Sequence, residues 1–358
     1  MVAFFCFIIQ QRGESRQGRR AFFAKNIFRR LHYLRAPVIL QAMDGKQKFK
    51  VFAAAVICHV FWGFSFMASG YALQRAHVFL LLSHRFLTAF AVMSLLVLAG
   101  FAKLRLKKKR VWLLVLLGAL EPVVYFFGEQ YGILHSGTVF SGVMIAMIPV
   151  FCMAAAALIL RERPTAGQVI FGVLSVGGVI GLGLLGGRSG AVDATGVFAL
   201  VVAVAGATGY TLLSRSISNE FTPFERTYMM IAVGAAVFTV CALIKTGFSP
   251  AEYLRPFGDA KYLICVLFLS VCCSVICYFA SSYAITYMSV ARETVFSNLT
   301  TAVSVFAGVV FMHEPFSVMG LVFCILILVG IYGVQRTAPV EHSPASGAQA
   351  ADDASRCN

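Results

Sequence analysis

Long apolar segments limit the folds open to this chain. Runs of about twenty apolar residues recur along it, and each could cross a hydrocarbon core about 30 Å thick at roughly 1.5 Å per helical residue. Because unpaired backbone groups are costly in lipid, such segments are expected to be helices. We predict ten spans, at residues 51–71, 78–101, 111–132, 138–160, 166–186, 195–214, 226–244, 261–284, 293–312 and 316–334.

The composition and the distribution of charge agree with a membrane protein. The chain is 59% hydrophobic and 13% charged, whereas soluble domains are about half apolar and a quarter charged. Its net charge of +15 does not indicate nucleic-acid binding, because 24 of its 30 Lys and Arg residues fall in the termini and every second loop. The positive-inside rule assigns these segments, with both termini, to the cytoplasmic side of the cell membrane. The basic segments there are expected to meet anionic lipid.

The two ends of the chain differ from the rest. Residues 1–48 form a basic cytoplasmic segment, and residues 336–358 form a small, polar tail that we expect to be disordered. The first residues lack the basic start and the cleavage site of a signal peptide. Met43, in contrast, opens a short basic lead into the first span. We interpret Met43 as the initiator and residues 1–42 as upstream sequence.

An internal repeat divides the ten spans into two groups of five. We place the first repeat at residues 49–190 and the second at 191–335. An odd number of spans in each repeat inverts one half relative to the other, which is a common build of secondary transporters with substrate bound near the midplane. Sliding the sequence by 152 positions aligns Tyr131 with Tyr283, Glu162 with Glu314, Gly178 with Gly330, and Gly181 with Gly333.

Several motifs resemble a known family. They are "WGFSFMASG", "YFFGEQYGILHSGTVFSGVMIAMIPVF", "LILRERPTAGQVIFGVLSVGGVIGL" and "NLTTAVSVFAGVVFMHEPFSVMGLVFCILILVGIYGV". Over roughly residues 46–336 the chain resembles the EamA-type repeats of the drug/metabolite transporter superfamily. The resemblance implies a ten-helix carrier that moves small metabolites, typically outward. One departure is Thr301, which stands where the partner of Pro149 is expected, so the halves should not be mechanically equivalent.

Two carboxylates in the third span are the first candidates for a functional site. Glu121 lies about 15 Å from the start of that span, near the bilayer centre. Glu121, Tyr125 and Glu129 follow an i, i+4, i+8 spacing that predicts one shared helical face. Such acids can couple transport to a proton or a cation, or Glu121 can be permanently protonated or hydrogen-bonded to a neighbouring helix. Glu129 lies nearer the outer face, where it should be cheaper to accommodate, and it resembles the acidic position of the family.

Two prolines and two polar groups of residues complete the predicted site. Pro122 and Pro149 lie near the midplane, where a missing N–H frees a carbonyl for a ligand or makes a packing kink. In the ninth span, Asn298 and Thr301 belong to a polar stripe that either contacts substrate or bonds another helix. In the first span, His59 is either a titrating group or a satisfied structural residue, and it lies within one turn of Trp62.

Three further charged residues have open roles. Arg85 is predicted near the outer end of the second span, where it either attracts an anionic group or extends along the apolar surface to reach water. Glu162 and Glu314 follow the fourth and ninth spans, and we expect them to cap helices or to pair with arginines.

The sequence favours a carrier over the other classes of membrane protein. Its ten cysteines form no disulfide framework or zinc pattern, and no H-E-x-x-H motif supports an intramembrane enzyme. We expect no cofactor, no metal and no covalent step. The predicted function is export or exchange of small polar metabolites, such as amino acids, by alternating access. A channel or a lipid-handling protein is the alternative.

The assignment of Met43 as initiator predicts the mass of the natural protein. Purified protein from its native source should give an intact mass that begins at Met43. A mass that begins at Met1 would show that residues 1–42 are translated.

Overall fold

The described part of the chain folds into helices that are joined by short turns and loops. The computed structural model describes residues 45–101, 104, 110–155, 157–158, 164–188, 192–217, 220–287 and 296–337, and this part contains no strand. Eight of its helices are long and apolar enough to cross a membrane, which confirms the predicted class of an all-helical membrane protein. The expectations for Met43, Glu162 and the tail beyond Thr337 lie outside these residues.

Thirteen α-helices are described in chain order. They are α1 Gly45–Leu73, α2 Val78–Leu98, α3 Val111–Gly118, α4 Tyr125–Ile145, α5 Ile148–Ala155, α6 Ala166–Arg188, α7 Ala194–Ser216, α8 Pro223–Lys245, α9 Pro250–Leu254, α10 Ala260–Leu267, α11 Cys277–Tyr287, α12 Ser297–Phe311 and α13 Val318–Arg336. Two π-helical segments, Ala119–Val124 and Phe268–Ile276, join α3 to α4 and α10 to α11. Ten spans remain a prediction for two reasons. The predicted third span and the start of the predicted fourth lie in one helical run, Val111–Ile145, and α12 has 15 described residues.

The short helix α9 was not predicted. The side chain of Ser249 accepts the N–H of Glu252 and so begins the helix. Asp259 follows the next turn, caps α10 and accepts a hydrogen bond of 3.0 Å from Nε of Arg75. That bond, followed by the N–H groups of Tyr262 and Lys261, lowers the pKa of Asp259. The loop 246–259 is thereby tied to the turn between α1 and α2.

Gly137 marks the boundary between the predicted third and fourth spans. The helical run continues from residue 125 to 145, but Gly137 has a φ of 73° inside it, a conformation that favours glycine. The carboxylate of Glu314 accepts the N–H groups of Thr138 and Val139 at 2.6 and 2.9 Å, and also the Thr138 hydroxyl. A Cβ at residue 137 would lie 3.1 Å from Glu314. Glu314 therefore caps the helix that restarts after Gly137, as the sequence predicted.

Helices α6 and α13 meet through contacts that obey the repeat offset of 152. Ser175 Oγ donates to the carbonyl of Ile327, which is 152 residues away. The contacts are reciprocal, since Gly178 approaches Ile327 while Gly330 approaches Ser175, and Gly181 approaches Phe323 while Gly333 approaches Phe171. Partners on α13 descend as those on α6 ascend, so the two helices run in opposite directions. The repeat predicted from these glycines is confirmed.

Helices α2 and α8 form a second pair with the same relation. The rings of Phe86 and Phe238, which are also 152 residues apart, stack with centroids at 5.7 Å. Ser83 bonds Thr239 at one end of the pair, and Ser94 bonds Tyr228 at the other. The pair is therefore antiparallel. A two-fold axis relates the two halves. A residue can contact its own repeat equivalent only near that axis, so the axis passes close to both helix pairs.

The remaining helices pack in equivalent ways around this axis. Helix α7 packs along α4, and its equivalent α1 packs along α11 and α12. The core around the α2–α8 pair includes Phe86, Phe126, Met230 and Phe238. Many large apolar side chains point outward instead, as at Ile170 and Val173, which are 66% and 67% exposed. Such faces are expected where hydrocarbon replaces water as the solvent.

The cap after Gly137 predicts the effect of removing one carboxylate. Glu314→Ala should lower the free energy of unfolding in detergent by about 2–3 kcal/mol, because hydrogen bonds to a charged group are lost. The matched control is Glu252→Ala, since Glu252 is an exposed acid whose ion pair with Arg255 spans 3.6 Å. Equal thermal midpoints for the two variants would show that the cap does not stabilise the helix.

Candidate functional site

The third predicted span is broken at Glu121. The φ and ψ angles of Glu121 are −140° and 115°, and the Glu121–Pro122 peptide bond is cis. Pro122 lacks an N–H and cannot continue α-helical bonding, which is the physical reason for the break. Glu121 therefore lies outside the α-helix that carries Tyr125 and Glu129, and the predicted i, i+4, i+8 helical spacing does not extend to it. Pro122 packs against Gly234 of α8, where a side chain would leave no room for the ring.

Glu121 is buried and bonded to the opposite half of the chain. It is 8% exposed, and it accepts a short hydrogen bond from the hydroxyl of Tyr278 on α11. The ring of Tyr278 lies edge-on to the ring of Trp62, with centroids at 5.5 Å. The alternative in which Glu121 bonds a neighbouring helix is the arrangement observed.

Glu129 is held within its own helix. The hydroxyl of Tyr125 donates to Glu129 at 2.8 Å, and Nε2 of Gln130 donates to it at 2.9 Å. The predicted i, i+4 pair of Tyr125 and Glu129 is therefore confirmed. Glu129 is 4% exposed and so is no less buried than Glu121. The sequence predicted a less costly position for Glu129 nearer the outer face. Position along the helix does not determine exposure, however, because neighbouring helices enclose Glu129.

Arg85 lies among these groups. The alternative in which it extends along the apolar surface to reach water is therefore wrong. Its side chain is 1% exposed, and its Nε donates to Oγ of Ser274 at 3.0 Å. The guanidinium carbon lies 4.2 Å from the ring centroid of Phe126, a cation–π distance. Arg85 also interacts electrostatically with both carboxylates.

These residues form one site at the centre of the bundle. We call Arg85, Glu121, Tyr125, Glu129, Ser274 and Tyr278 the central polar cluster. The sequence identified its two acids and Tyr125, and it left open whether Arg85 attracts an anionic group or reaches water. The burial of Arg85 agrees with the rule that an arginine inside an apolar span normally faces a protein interior. Tyr278 and Ser274 carried no comparable signal.

The central polar cluster lies where equivalent segments of the two halves meet. The two π-helical segments end at Val124 and Ile276, which are 152 positions apart. The same offset pairs Glu121 with Cys273, Pro122 with Ser274, and Phe126 with Tyr278. One half therefore supplies an acid and a proline, and the other supplies a thiol and a hydroxyl. The arrangement of the two halves is symmetric, but the side chains at equivalent positions differ in their chemistry.

His59 and Trp62 reach the edge of this cluster. Nε1 of Trp62 donates to the carbonyl of Cys273 at 3.1 Å, and its ring contacts that of Tyr278. His59 lies edge-on to Trp62 with ring centroids at 5.3 Å, and its Nδ1 is 2.8 Å from the carbonyl of Ala55. His59 is buried and bonded within its own helix.

The other predicted residues lie apart from the central polar cluster. Pro149 is the second residue of α5, after a turn at residues 146–147. Thr301 is buried on α12, where its hydroxyl is 3.4 Å from the carbonyl of Ser297. Asn298 lies on the same helix with a buried Oδ1 that has no hydrogen-bond partner among the described residues. None of these three hydrogen-bonds a member of the cluster in the described part of the chain.

Two other features of the described residues bear on ligand binding. No group of three or more His, Cys, Asp and Glu side chains there could hold a metal ion. A cleft of about 460 Å³ opens at the end of the bundle, lined by Arg75, Ala76, His77, Leu80, Glu252, Arg255, Pro256 and Asp259. It contains no residue that was predicted for the site.

The bond between Tyr278 and Glu121 predicts a stability difference. Tyr278→Phe should lower the free energy of unfolding by about 1–3 kcal/mol, because a buried carboxyl loses its donor. Tyr332→Phe is the matched control, since Tyr332 is 50% exposed. Thermal midpoints in detergent measure both, and a Tyr278→Phe midpoint no lower than that of the control would contradict the bond.

Comparison with known proteins assigns the chain to a family. The model of the EamA-like transporter family matches residues 50–184 and 194–336. The chain is 30% identical to "Uncharacterized transporter YcxC" of Bacillus subtilis (strain 168), over 80% of this chain and 93% of that protein. An "Uncharacterized transporter" of Archaeoglobus fulgidus is 24% identical, over 77% of this chain and 95% of that protein.

A solved structure supports the same fold. It is a crystal structure with 18% sequence identity and a TM-score of 0.56, and the match covers 80% of this chain and 97% of that one. Together with the eight apolar helices, these matches show that the chain is a multi-pass membrane protein and belongs to the EamA-like transporter family.

Proposed function

We propose that this protein is a secondary transporter that exports or exchanges small polar metabolites, such as amino acids, by alternating access. The observation that carries the proposal is the central polar cluster, a set of buried ionisable groups at the junction of two antiparallel halves. Ionisable side chains inside a membrane bundle are costly and mark substrate or ion pathways. Inverted halves with a site between them suit a rocking movement.

The two carboxylates are the proposed coupling groups. Each one is held by a tyrosine hydroxyl, Glu121 by Tyr278 of the second half and Glu129 by Tyr125 of its own helix. Movement of one half against the other would break the first bond and keep the second. Glu121 would therefore exchange Tyr278 for a proton, a cation or substrate as the halves move, while Glu129 stays oriented.

The remaining predicted residues belong to the proposed pathway beyond the cluster. His59 and Trp62 would border the proposed pathway, because the ring of Trp62 contacts Tyr278 and the ring of His59 contacts Trp62. The amide oxygen of Asn298, which has no hydrogen-bond partner among the described residues, is available to a substrate that passes α12. Thr301 lies one turn away on α12, and Pro149 lies on α5.

The orientation and the boundaries follow the sequence. Both termini would be cytoplasmic in the cell membrane, so the turn between α1 and α2 would face outward. Residues 49–190 and 191–335 would be the two repeats, and no covalent step or cofactor is required.

Transport by the central polar cluster predicts a defect when its acids are neutralised. Proteoliposomes preloaded with an unlabelled amino acid mixture should take up the same labelled mixture by saturable counterflow. Glu121→Gln and Glu129→Gln should each lower the initial rate about tenfold, since a charge-assisted interaction worth about 1.5–3 kcal/mol is lost. Their pH dependence should also change. Glu252→Gln, an exposed acid, is the matched control.

Two outcomes would contradict the proposal in different ways. Wild-type flux and pH dependence in both cluster variants would show that these carboxylates are not coupling groups. Ion conduction without counterflow in the unmodified protein would indicate a channel instead of a carrier.

A further inference from the structure

The guanidinium of Arg85 is buried and contacts no carboxylate directly among the described residues. Arg85 is 1% exposed, and among the described residues its side chain makes one hydrogen bond, from Nε to Ser274. A guanidinium carries five N–H donors. The four on Nη1 and Nη2 make no hydrogen bond in the part of the chain that is described. A buried charge without full hydrogen bonding is costly.

The nearby acids do not relieve this cost by direct pairing. The Glu121 carboxylate accepts from Tyr278, and the Glu129 carboxylate accepts from Tyr125 and Gln130. Both acids act on Arg85 at longer range. Within the cluster, the two carboxylates therefore accept hydrogen bonds from other side chains and not from Arg85. The terminal N–H groups of Arg85 remain without an acceptor among the described residues.

The surroundings of Arg85 fix the plane of its guanidinium. Ser274 holds Nε from the π-helical segment of the second half, and the ring of Phe126 lies 4.2 Å away from the first half. Phe86 adds a second aromatic contact at 5.6 Å. A planar guanidinium with both terminal nitrogens free matches the two oxygens of a carboxylate.

We propose that Arg85 anchors the carboxylate of the transported substrate through Nη1 and Nη2. This inference rests on the proposed transport function and narrows the substrate class to compounds with a free carboxylate. An amino acid fits better than a simple acid, because its ammonium group can lie by Glu121 or Glu129 while its carboxylate binds Arg85. The rings of Phe86 and Phe126 beside Arg85, and the ring of Trp62 beside Tyr278, make the surroundings of the cluster apolar.

Three probes that share the isobutyl group of leucine separate these contributions. L-Leucine carries both charged groups, 4-methylpentanoate carries only the carboxylate, and isoamylamine carries only the amine. We expect leucine to raise the thermal midpoint of the full chain in detergent most, 4-methylpentanoate to raise it less, and isoamylamine to leave it unchanged. The same order should hold for competition with labelled leucine in counterflow.

Variants at Arg85 test the anchor directly. Arg85→Gln should weaken leucine binding about tenfold to a hundredfold, as loss of a charge-assisted pair predicts. Arg85→Lys should be intermediate, because it keeps the charge without the planar fork. Ser274→Ala keeps the guanidinium and should weaken binding about fivefold, which follows from one lost hydrogen bond. Arg75→Gln, at the bundle end and paired with Asp259, should bind as the unmodified protein does.

The outcomes separate this inference from the proposed function. Equal protection by isoamylamine and leucine, no protection by any probe, or unchanged leucine affinity in both Arg85 variants would overturn the anchor. Size-exclusion profiles show whether each variant is folded. If Arg85→Gln does not fold, Ser274→Ala still tests the anchor independently. If counterflow persists and the leucine affinity is unchanged in the Arg85 variants, the anchor alone is refuted. If leucine binds but no counterflow is measured, the transport function alone is refuted.

Discussion

Polar groups buried in an apolar bundle must find their hydrogen bonds inside the protein, and this requirement links the helix breaks of one half to the side chains of the other. The break at Glu121 is met by Tyr278. The break at Gly137 is closed by Glu314, which bonds two N–H groups of the restarted helix. Both supporting residues come from the second half, so the irregular backbone of the first half depends on how the halves are docked.

A symmetric frame therefore carries an asymmetric site. The reciprocal contacts of Gly178 with Ile327 and of Gly330 with Ser175 fix two antiparallel halves. At the equivalent positions 121 and 273, however, one half has a glutamate and the other a cysteine. Substitutions at such positions can change which substrate binds. They leave unchanged the glycine contacts that hold the two halves together. The difference between Glu121 and Cys273 adds to the one predicted at Pro149 and Thr301, which lie apart from the central polar cluster.

Sequence predicted what depends on local pattern and missed what depends on partners from distant segments. Apolar runs predicted the eight membrane-length helices, and the aligned glycines predicted the repeat, because both signals are patterns within the sequence of each half. The i, i+4 bond of Tyr125 and Glu129 is also local. The bonds from Tyr278 to Glu121 and from Arg85 to Ser274 join residues more than 150 positions apart. Proline at residue 122 signalled a break, but only packing decides where Glu121 then points.

Alternating access requires that the central polar cluster opens in turn to each side of the membrane. A cysteine introduced as Ser274→Cys, in a variant without the native cysteines, tests this with a membrane-impermeant maleimide. We expect labelling from the outside in sealed vesicles and from the inside in inverted vesicles, with protection by substrate in both. Labelling from one side only, or from neither while a control cysteine at the loop residue Thr246 reacts, would contradict alternating access at this site.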